Sequence, residues 1–174
     1  MERRKLPIQV LQVNGNISLT LISAGLLLAL LLASTFAGGC ASVKVNASVA
    51  PNVDLKTLKT FYVRKLDADG RGMEKLIAGR LSTMGYSARS GTAFRPNEAA
   101  DAIVTYEDRW MWDITMYMLE MKIFLRDPST EFVLASGYSF RTSLARKPPE
   151  FMIEEALNRI FGLSPPVSPP PADE

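Results

Sequence analysis

The chain has 174 residues, with 20 Lys and Arg against 18 Asp and Glu, no His and a single Cys. Its length suits one modest domain, and the lack of His excludes His-based catalytic triads, His general bases and most zinc and iron sites. The near-balance of charge gives no nucleic-acid footprint, which needs Lys and Arg clustered on one face.

Residues 1–39 have the layout of a secretory signal peptide. Arg3, Arg4 and Lys5 form a positive start, residues 17–37 carry no charge, and small residues close the run before Cys40. An uncleaved N-terminal anchor in the inner membrane is the alternative, because 21 uncharged residues just span a bilayer.

The sequence Ala-Gly-Gly-Cys at residues 37–40 resembles the lipobox of bacterial lipoproteins, with Ala37 where leucine is usual. The resemblance implies that Cys40 is diacylated and becomes the mature N-terminus. It also implies that Ala41, because it is not Asp, directs the protein to the periplasmic face of the outer membrane. Each buried CH₂ contributes about 0.8 kcal/mol, so two or three acyl chains give lasting attachment.

The mature chain is electrically neutral, because three basic residues and one acidic residue precede Cys40 and 17 of each sign remain. Residues 40–57 are interpreted as the lipidated N-terminus and a spacer, which includes an added edge strand at 43–49. Residues 163–174 contain five prolines and predict an extended, disordered tail. Docking of this tail on an aromatic groove of a partner is the alternative.

Residues 58–162 carry the pattern of one periplasmic α/β domain. Aromatic and β-branched residues, or turns on either side of a segment, predict strands. The predicted strands are 60–66, 87–90, 102–107, 116–126 and 132–142. Apolar residues at helical spacing predict helices that end at Gly85 and Gly162, the second of them opened by prolines. The order β-α-β-β-β-β-α predicts an α+β fold: a mostly antiparallel sheet of four to five strands with two helices on one face.

Residues 53–162 also resemble a group of bacterial outer-membrane lipoproteins of unknown function. The shared features are Phe61-Tyr62 in a strand, Gly85-Tyr86 after a helix, Ala100-Asp101 before a strand, Asp127-Pro128 in a hairpin turn and a final helix over 152–161. The resemblance implies an envelope role without catalysis, and it supplies no active-site residues.

The segment 109–127 is the richest in large apolar side chains, with two Trp and four Met. A single strand over 102–126 would be about 80 Å long, which no small domain has. The polar residues Glu107, Asp108 and Arg109 therefore predict a turn. Strand alternation then places Met116 and Met118 opposite the face of Met121, so both faces are apolar.

Two interpretations of this segment remain open. In the first, the tryptophans fold onto the edge of their own domain. In the second, Trp110, Trp112, Met111 and Met116 form an exposed patch that contacts a protein partner, since large apolar patches mark binding sites and interfaces are rich in aromatic residues and Met.

Candidate chemical groups elsewhere are interpreted as structural. Glu107, Asp108 and Asp113 are expected to be solvated, although a hydrolase would need such carboxylates to converge in a cleft. The loop at residues 70–72 precedes a helix, where N–H groups can bind an anion, but it lacks the glycine and lysine spacing of phosphate loops. Glu154 and Glu155 are assigned to the solvated face of the last helix.

The sequence therefore predicts a protein that is not an enzyme and uses no cofactor and no metal. It predicts a lipid-anchored accessory or assembly component of the bacterial cell envelope, acting through protein–protein contacts. The alternative is a periplasmic binding protein or sensor for a small apolar ligand. A closed, Met-lined cavity would favour the ligand, and an open aromatic patch would favour the partner.

Overall fold

The computed structural model describes residues 41–94, 96 and 98–167, so the predicted signal peptide and Cys40 lie outside the described residues. The strands are β1 (Val43–Val49), β2 (Thr60–Arg64), β3 (Ser87–Gly91), β4 (Ala102–Asp113), β5 (Thr115–Arg126) and β6 (Val133–Arg141). The α-helices are α1 (Met73–Thr83) and α2 (Pro149–Ile160). Among the described residues, no helix is long and apolar enough to cross a membrane.

All six strands form one mixed sheet in the order β1-β6-β5-β4-β2-β3. The pairs β1–β6, β6–β5 and β5–β4 are antiparallel, whereas β2 lies parallel to both β4 and β3. The predicted α+β class is confirmed. The sheet has six strands rather than the four to five predicted, because the edge strand expected at 43–49 pairs with β6 as β1. The mostly antiparallel prediction holds for β1, β6, β5 and β4, whereas β2 pairs in parallel with both of its neighbours.

Both helices pack on the same face of the sheet and share one core with it. The two helices contribute Met73, Ile77, Leu81, Met152, Ile153, Ala156, Leu157 and Ile160. Burial of one such aliphatic side chain stabilises the fold by about 1.5–3 kcal/mol. At Gly137, β6 lies so close to α2 that an added Cβ would be 2.5 Å from the carbonyl oxygen of Ala156.

Glu155 corrects the prediction that the acidic pair on α2 is solvated. Its side chain is buried, with 7 % of its surface exposed. The hydroxyl of Ser139 donates to its carboxylate at 2.6 Å and the guanidinium of Arg141 at 2.5 Å. These bonds tie α2 to β6. Glu154 is half-buried and pairs with Arg80 of α1 at 2.8 Å.

The strand β4 runs straight through the residues at which a turn was predicted, and the chain reverses only at Ile114. That prediction is wrong because the polar residues pair across the hairpin. Lys122 of β5 contacts Glu107 at 3.1 Å, and Arg109 contacts Glu120 at 3.2 Å. Opposite charges facing each other on adjacent strands stabilise a sheet, so this polar stretch is a cross-strand ladder.

Candidate functional site: an exposed apolar hairpin tip

The β4–β5 hairpin projects beyond the rest of the sheet. The last paired residues of β6 lie opposite Glu120 of β5, while the reversal is at Ile114. The five residues from Leu119 back to the reversal span about 17 Å at 3.3 Å per residue. The end of the hairpin therefore extends past its neighbouring strand β6.

A β-bulge explains why both faces of this segment looked apolar in the sequence. Arg109 lies opposite Glu120, but Trp110 lies opposite Met118, so Leu119 is an extra residue in β5. An extra residue reverses the alternation of side chains beyond it. Met118 consequently enters the same core as Met121, and the prediction that these two residues face opposite sides is wrong.

The four predicted contact residues divide into three exposed and one half-buried. The exposed fractions are 70 % for Trp112, 46 % for Met111 and 49 % for Met116. Ile114, which the sequence did not single out, is 84 % exposed at the reversal. We call Met111, Trp112, Ile114 and Met116 the hairpin tip. Trp112 and Met116 lie opposite each other on one face of the hairpin, whereas Met111 lies on the other face beside Tyr117. The tip therefore exposes apolar side chains on both faces.

Trp110 lies at the base of the tip and packs partly against the core. Its indole N–H donates to the carboxylate of Asp108 at 2.5 Å. The guanidinium of Arg71 stacks over the indole ring at 4.3 Å from the centroid. Trp110 therefore joins the hairpin to the loop before α1, as the first interpretation expected, while Trp112 remains exposed as the second expected.

The backbone at Ile114 is in the left-handed region, with φ of 61°. This conformation is unfavourable for a β-branched residue, and a turn there normally carries Gly or Asn. A Gly or Asn would have been the signal that locates the turn in the sequence. Such strain clusters at functional sites.

The segment between β6 and α2 braces the hairpin. Ser143 is hydrogen-bonded to Asp113, and the guanidinium of Arg146 donates to the hydroxyl of Thr115 at 2.7 Å. Arg146 also lies over the ring of Tyr117, 5.6 Å from its centroid. These contacts hold both strands of the hairpin just below the reversal, so the tip is presented on a supported stem.

The described chain enters the sheet at the same end as the hairpin tip. Val43 of β1 lies opposite Arg141 of β6, and the N–H of Thr142 donates to the carbonyl of Ser42 at 3.1 Å. Two strand spacings, about 10 Å, separate β1 from β5. Ser42 and the tip are therefore about 10 Å apart across the sheet and about 17 Å apart along it.

The backbone N–H groups of the loop before α1 are already bound to a side chain of that loop, so they do not offer an anion site. The carboxylate of Asp69 accepts from the N–H groups of Arg71 at 2.7 Å, Gly72 at 3.0 Å and Met73 at 2.7 Å. It also accepts from the hydroxyl of Tyr106 at 2.7 Å. Residues 70–72 thus form a strand-to-helix loop, as the sequence analysis expected, and the sequence did not identify Asp69 as its cap.

Asp69 is ionised in this network. Burial opposes ionisation, but the bonds from Tyr106 and from the backbone outweigh it and lower the pKa of Asp69 to about 2. Burial raises the pKa of the Tyr106 hydroxyl, and the neighbouring carboxylate raises it further. The hydroxyl in turn accepts from the N–H of Leu66 at 3.1 Å. The network joins β2, α1 and β4.

The acidic residues of the hairpin do not converge. Glu107 is bound by Lys122, Asp108 by Trp110, and Asp113 by Ser143. Each carboxylate thus has a different partner. Among the described residues, no three acidic, Cys or His side chains are grouped in a way that would hold a metal ion.

The chain matches no family model and no curated protein. Its fold is similar to that of the PelC dodecamer from Paraburkholderia phytofirmans. A single-substitution variant of PelC has a TM-score of 0.52 and 16 % identity, with 68 % of this chain and 98 % of that chain covered. A second PelC structure has a TM-score of 0.48 and 17 % identity, covering 68 % of this chain and 97 % of that one.

Proposed function

We propose that this chain is a non-catalytic, lipid-anchored accessory or assembly component of the bacterial cell envelope, and that the hairpin tip is its contact surface. The observation that carries the proposal is the exposure of the tip: Trp112, Ile114 and Met116 face solvent on a braced hairpin. Exposed aromatic and Met side chains of this kind are enriched at protein interfaces.

The position of the tip supports a contact at the membrane. Ala41 and Ser42 lie at the end of the sheet from which the hairpin projects. Cys40, the proposed site of acylation, directly precedes Ala41 in the sequence. Acyl chains at Cys40 would therefore hold this end of the sheet toward the bilayer. The partner is then a protein that lies in or on the same membrane.

The distribution of the methionines favours a partner over a small apolar ligand. Met118 and Met121 are packed in the core with at most 1 % of their surface exposed, so they offer almost no surface to a ligand. Met111 and Met116 instead lie on the open tip. A ligand-binding protein would place such residues around an enclosed cavity, whereas an open surface suits a second protein.

Another copy of the same chain is one partner that the hairpin tip could contact. The PelC variant of similar fold, with a TM-score of 0.52, is a dodecamer. We propose that this chain also self-associates, with the membrane anchor of each copy on the same side of the assembly.

Photo-crosslinking in living cells tests the contact surface. A photo-reactive residue is placed at Trp112 and, as the matched control, at Ser129, which is exposed in the turn between β5 and β6 at the other end of the sheet. We expect a discrete heavier band from position 112 and none from 129. Equal capture from both positions, or none from a folded and correctly localised variant, would remove the tip as a contact surface.

The anchor has a separate test. Cys40→Ser should yield an uncleaved precursor that takes up no labelled fatty acid, because the thiol that carries the acyl chains is absent. Persistent acyl labelling of Cys40→Ser would show that the lipobox assignment is wrong.

A further inference from the structure

The strand β1 forms one edge of the sheet, and no strand covers its outer side in the described part of the chain. Its one charged side chain, Lys44, lies over the ring of Phe140 at 5.8 Å from the centroid, and it contains no proline. The exposed fractions of Val43 and Val49 are 46 % and 42 %. Because edge strands are normally protected by charge, proline or a bulge, β1 is open to pairing with a further strand.

The pairing with β6 determines which backbone groups of β1 point outward. The N–H of Ala50, just after β1, donates to the carbonyl of Leu134 at 2.8 Å. The backbone groups of successive residues point to alternate sides of a strand. The even-numbered residues of β1 therefore bond to β6, and the N–H and C=O groups of Val45 and Ala47 point away from the sheet.

The strand β3 forms the opposite edge of the described sheet. The N–H of Ser87 donates to the carbonyl of Lys59, directly before β2, at 2.9 Å. By the same alternation, the N–H and C=O groups of Ala88 and Ser90 point away from β2. The sheet thus offers outward backbone donors and acceptors at both of its edges.

The two edge strands run in opposite directions. The strands β1, β6, β5 and β4 alternate in direction, and β2 and β3 follow the direction of β4. Copies that share one orientation therefore place β1 of one beside β3 of the next as an antiparallel pair. Every copy then has its hairpin tip and Ser42 at the same end of the sheet. Pairing of β1 with β1 would instead turn one copy over and place these ends apart.

One register pairs the two edges completely. With Asn46 opposite Arg89, all five residues of β3 lie opposite residues of β1. The outward groups then form two pairs of residues joined by four backbone hydrogen bonds. A shift by two residues in either direction leaves one end of β3 beyond β1. One of these shifts also brings Arg89 opposite Lys44, and like charges that face each other destabilise a sheet.

The side chains of the two edges lie on matching faces in this register. Ala47 lies opposite Gly137, which approaches α2 closely, so Val45 and Ala47 have their side chains on the helix side of the sheet. Ala88 packs against the core on the same side. The added pair therefore continues the sheet with the helices of both copies on one face.

We propose that β1 of one copy pairs with β3 of the next copy, antiparallel and with Asn46 opposite Arg89, so that one sheet continues through the assembly. This inference rests on the self-association proposed above and names the two surfaces that meet. Each copy uses a different edge toward each neighbour, so the contact is head-to-tail and forms a ring when the rotation closes. The hairpin tip takes no part in this contact.

Paired cysteines in the full chain, in native membranes, test the proposal. In this register Ser48 lies opposite Ser87 at a position without backbone hydrogen bonds, where the Cα atoms are about 4.5 Å apart, a distance that a disulfide bridges. Both serines are exposed. Within one molecule they lie on opposite edges of the sheet, about 24 Å apart across five strand spacings. A disulfide between positions 48 and 87 therefore joins two copies.

The double variant Ser48→Cys with Ser87→Cys should give a ladder of dimers, trimers and larger species on a non-reducing gel after mild oxidation with copper phenanthroline. Each single variant should give nothing larger than a dimer. Ser48→Cys with Ser129→Cys is the matched control, because Ser129 is exposed in a turn and does not belong to β3. No ladder from the folded double variant, or an equal ladder from the control, would overturn the proposal.

A change to the outward backbone of β1 tests the hydrogen bonds themselves. In the Ser48→Cys, Ser87→Cys background, Ala47→Pro removes an outward N–H and should reduce the ladder about fivefold, since proline cannot donate to a neighbouring strand. Ala47→Val keeps this N–H and should leave the ladder unchanged. Equal ladders from Ala47→Pro and Ala47→Val would contradict the proposed pairing.

The crosslinking experiment at Trp112 separates this pairing from the contact surface proposed above. Capture at Trp112 without a ladder from positions 48 and 87 would overturn the pairing and leave the hairpin tip as a contact surface. A ladder without capture at Trp112 would support the pairing and remove the tip as a contact surface.

Discussion

Replacement of Ile114 by glycine tests the strain at the hairpin reversal. Ile114 has φ of 61°, a region that costs an L-residue with a Cβ about 1–2 kcal/mol. Ile114→Gly removes this cost, but glycine loses about 0.5–1 kcal/mol more conformational entropy on folding. Because Ile114 is 84 % exposed, little buried apolar area is lost. The expected net effect is a gain of about 0.5–1 kcal/mol in the free energy of unfolding.

Urea and thermal unfolding of the domain that begins at Ala41 measure this gain. For a domain of this size, it corresponds to an increase in Tm of about 2–4 °C. Ile114→Val is the matched control: it keeps a β-branched side chain, so the strain remains and Tm should not change. If Ile114→Gly leaves stability unchanged or lowers it, the reversal is not strained and the functional argument drawn from the strain fails.

Three further predictions concern the fold. Gly137→Ala should lower the free energy of unfolding by about 1–3 kcal/mol in urea denaturation, because its Cβ meets the backbone of α2 at 2.5 Å; an unchanged midpoint would contradict this close contact. Glu155→Ala should cost about 3–5 kcal/mol by leaving Arg141 buried without its partner, and the double replacement Glu155→Leu with Arg141→Met should restore most of it. Asp69→Asn should lower the free energy of unfolding by about 2 kcal/mol above pH 4. Because folding lowers the pKa of Asp69 from 3.8 to about 2, the stabilisation by the ionised carboxylate is lost as the pH falls through 2. A difference between the two proteins that does not change with pH would refute this role.

Local chemistry explains which parts of the fold were predictable from the sequence. The turn at Asp127 was predicted because its side chain caps its own loop, accepting from the N–H groups of Ser129 at 2.9 Å and Thr130 at 2.8 Å. The helices were predicted because their apolar residues repeat at helical spacing and prolines open α2.

The missed features depend on contacts between distant residues. No local signal marks the turn at Ile114, since neither Gly nor Asn stands there. Glu107 resembled a turn residue because its partner Lys122 lies 15 positions away. The bulge at Leu119 is visible only when both strands are aligned, and without it the face of Met116 is assigned wrongly.

The candidate site was predictable in composition but not in arrangement. The sequence indicated Trp110, Trp112, Met111 and Met116 as one patch. In the structure, Trp110 is drawn toward the core by its hydrogen bond to Asp108, and the three others remain exposed. The position of the tip at the end of the sheet where Ser42 enters follows from strand register, which a single sequence does not reveal.

Thiol accessibility in native membranes shows whether the hairpin tip is covered in the cell envelope. Cys40 is the only cysteine, and its proposed acylation would leave no competing thiol, so Trp112→Cys and Ser129→Cys would each introduce a unique one. We expect a bulky maleimide to label Ser129→Cys in intact membranes and to label Trp112→Cys only after detergent is added. Equal labelling of both variants before detergent would show that the tip is free in the envelope and that it is not a contact surface.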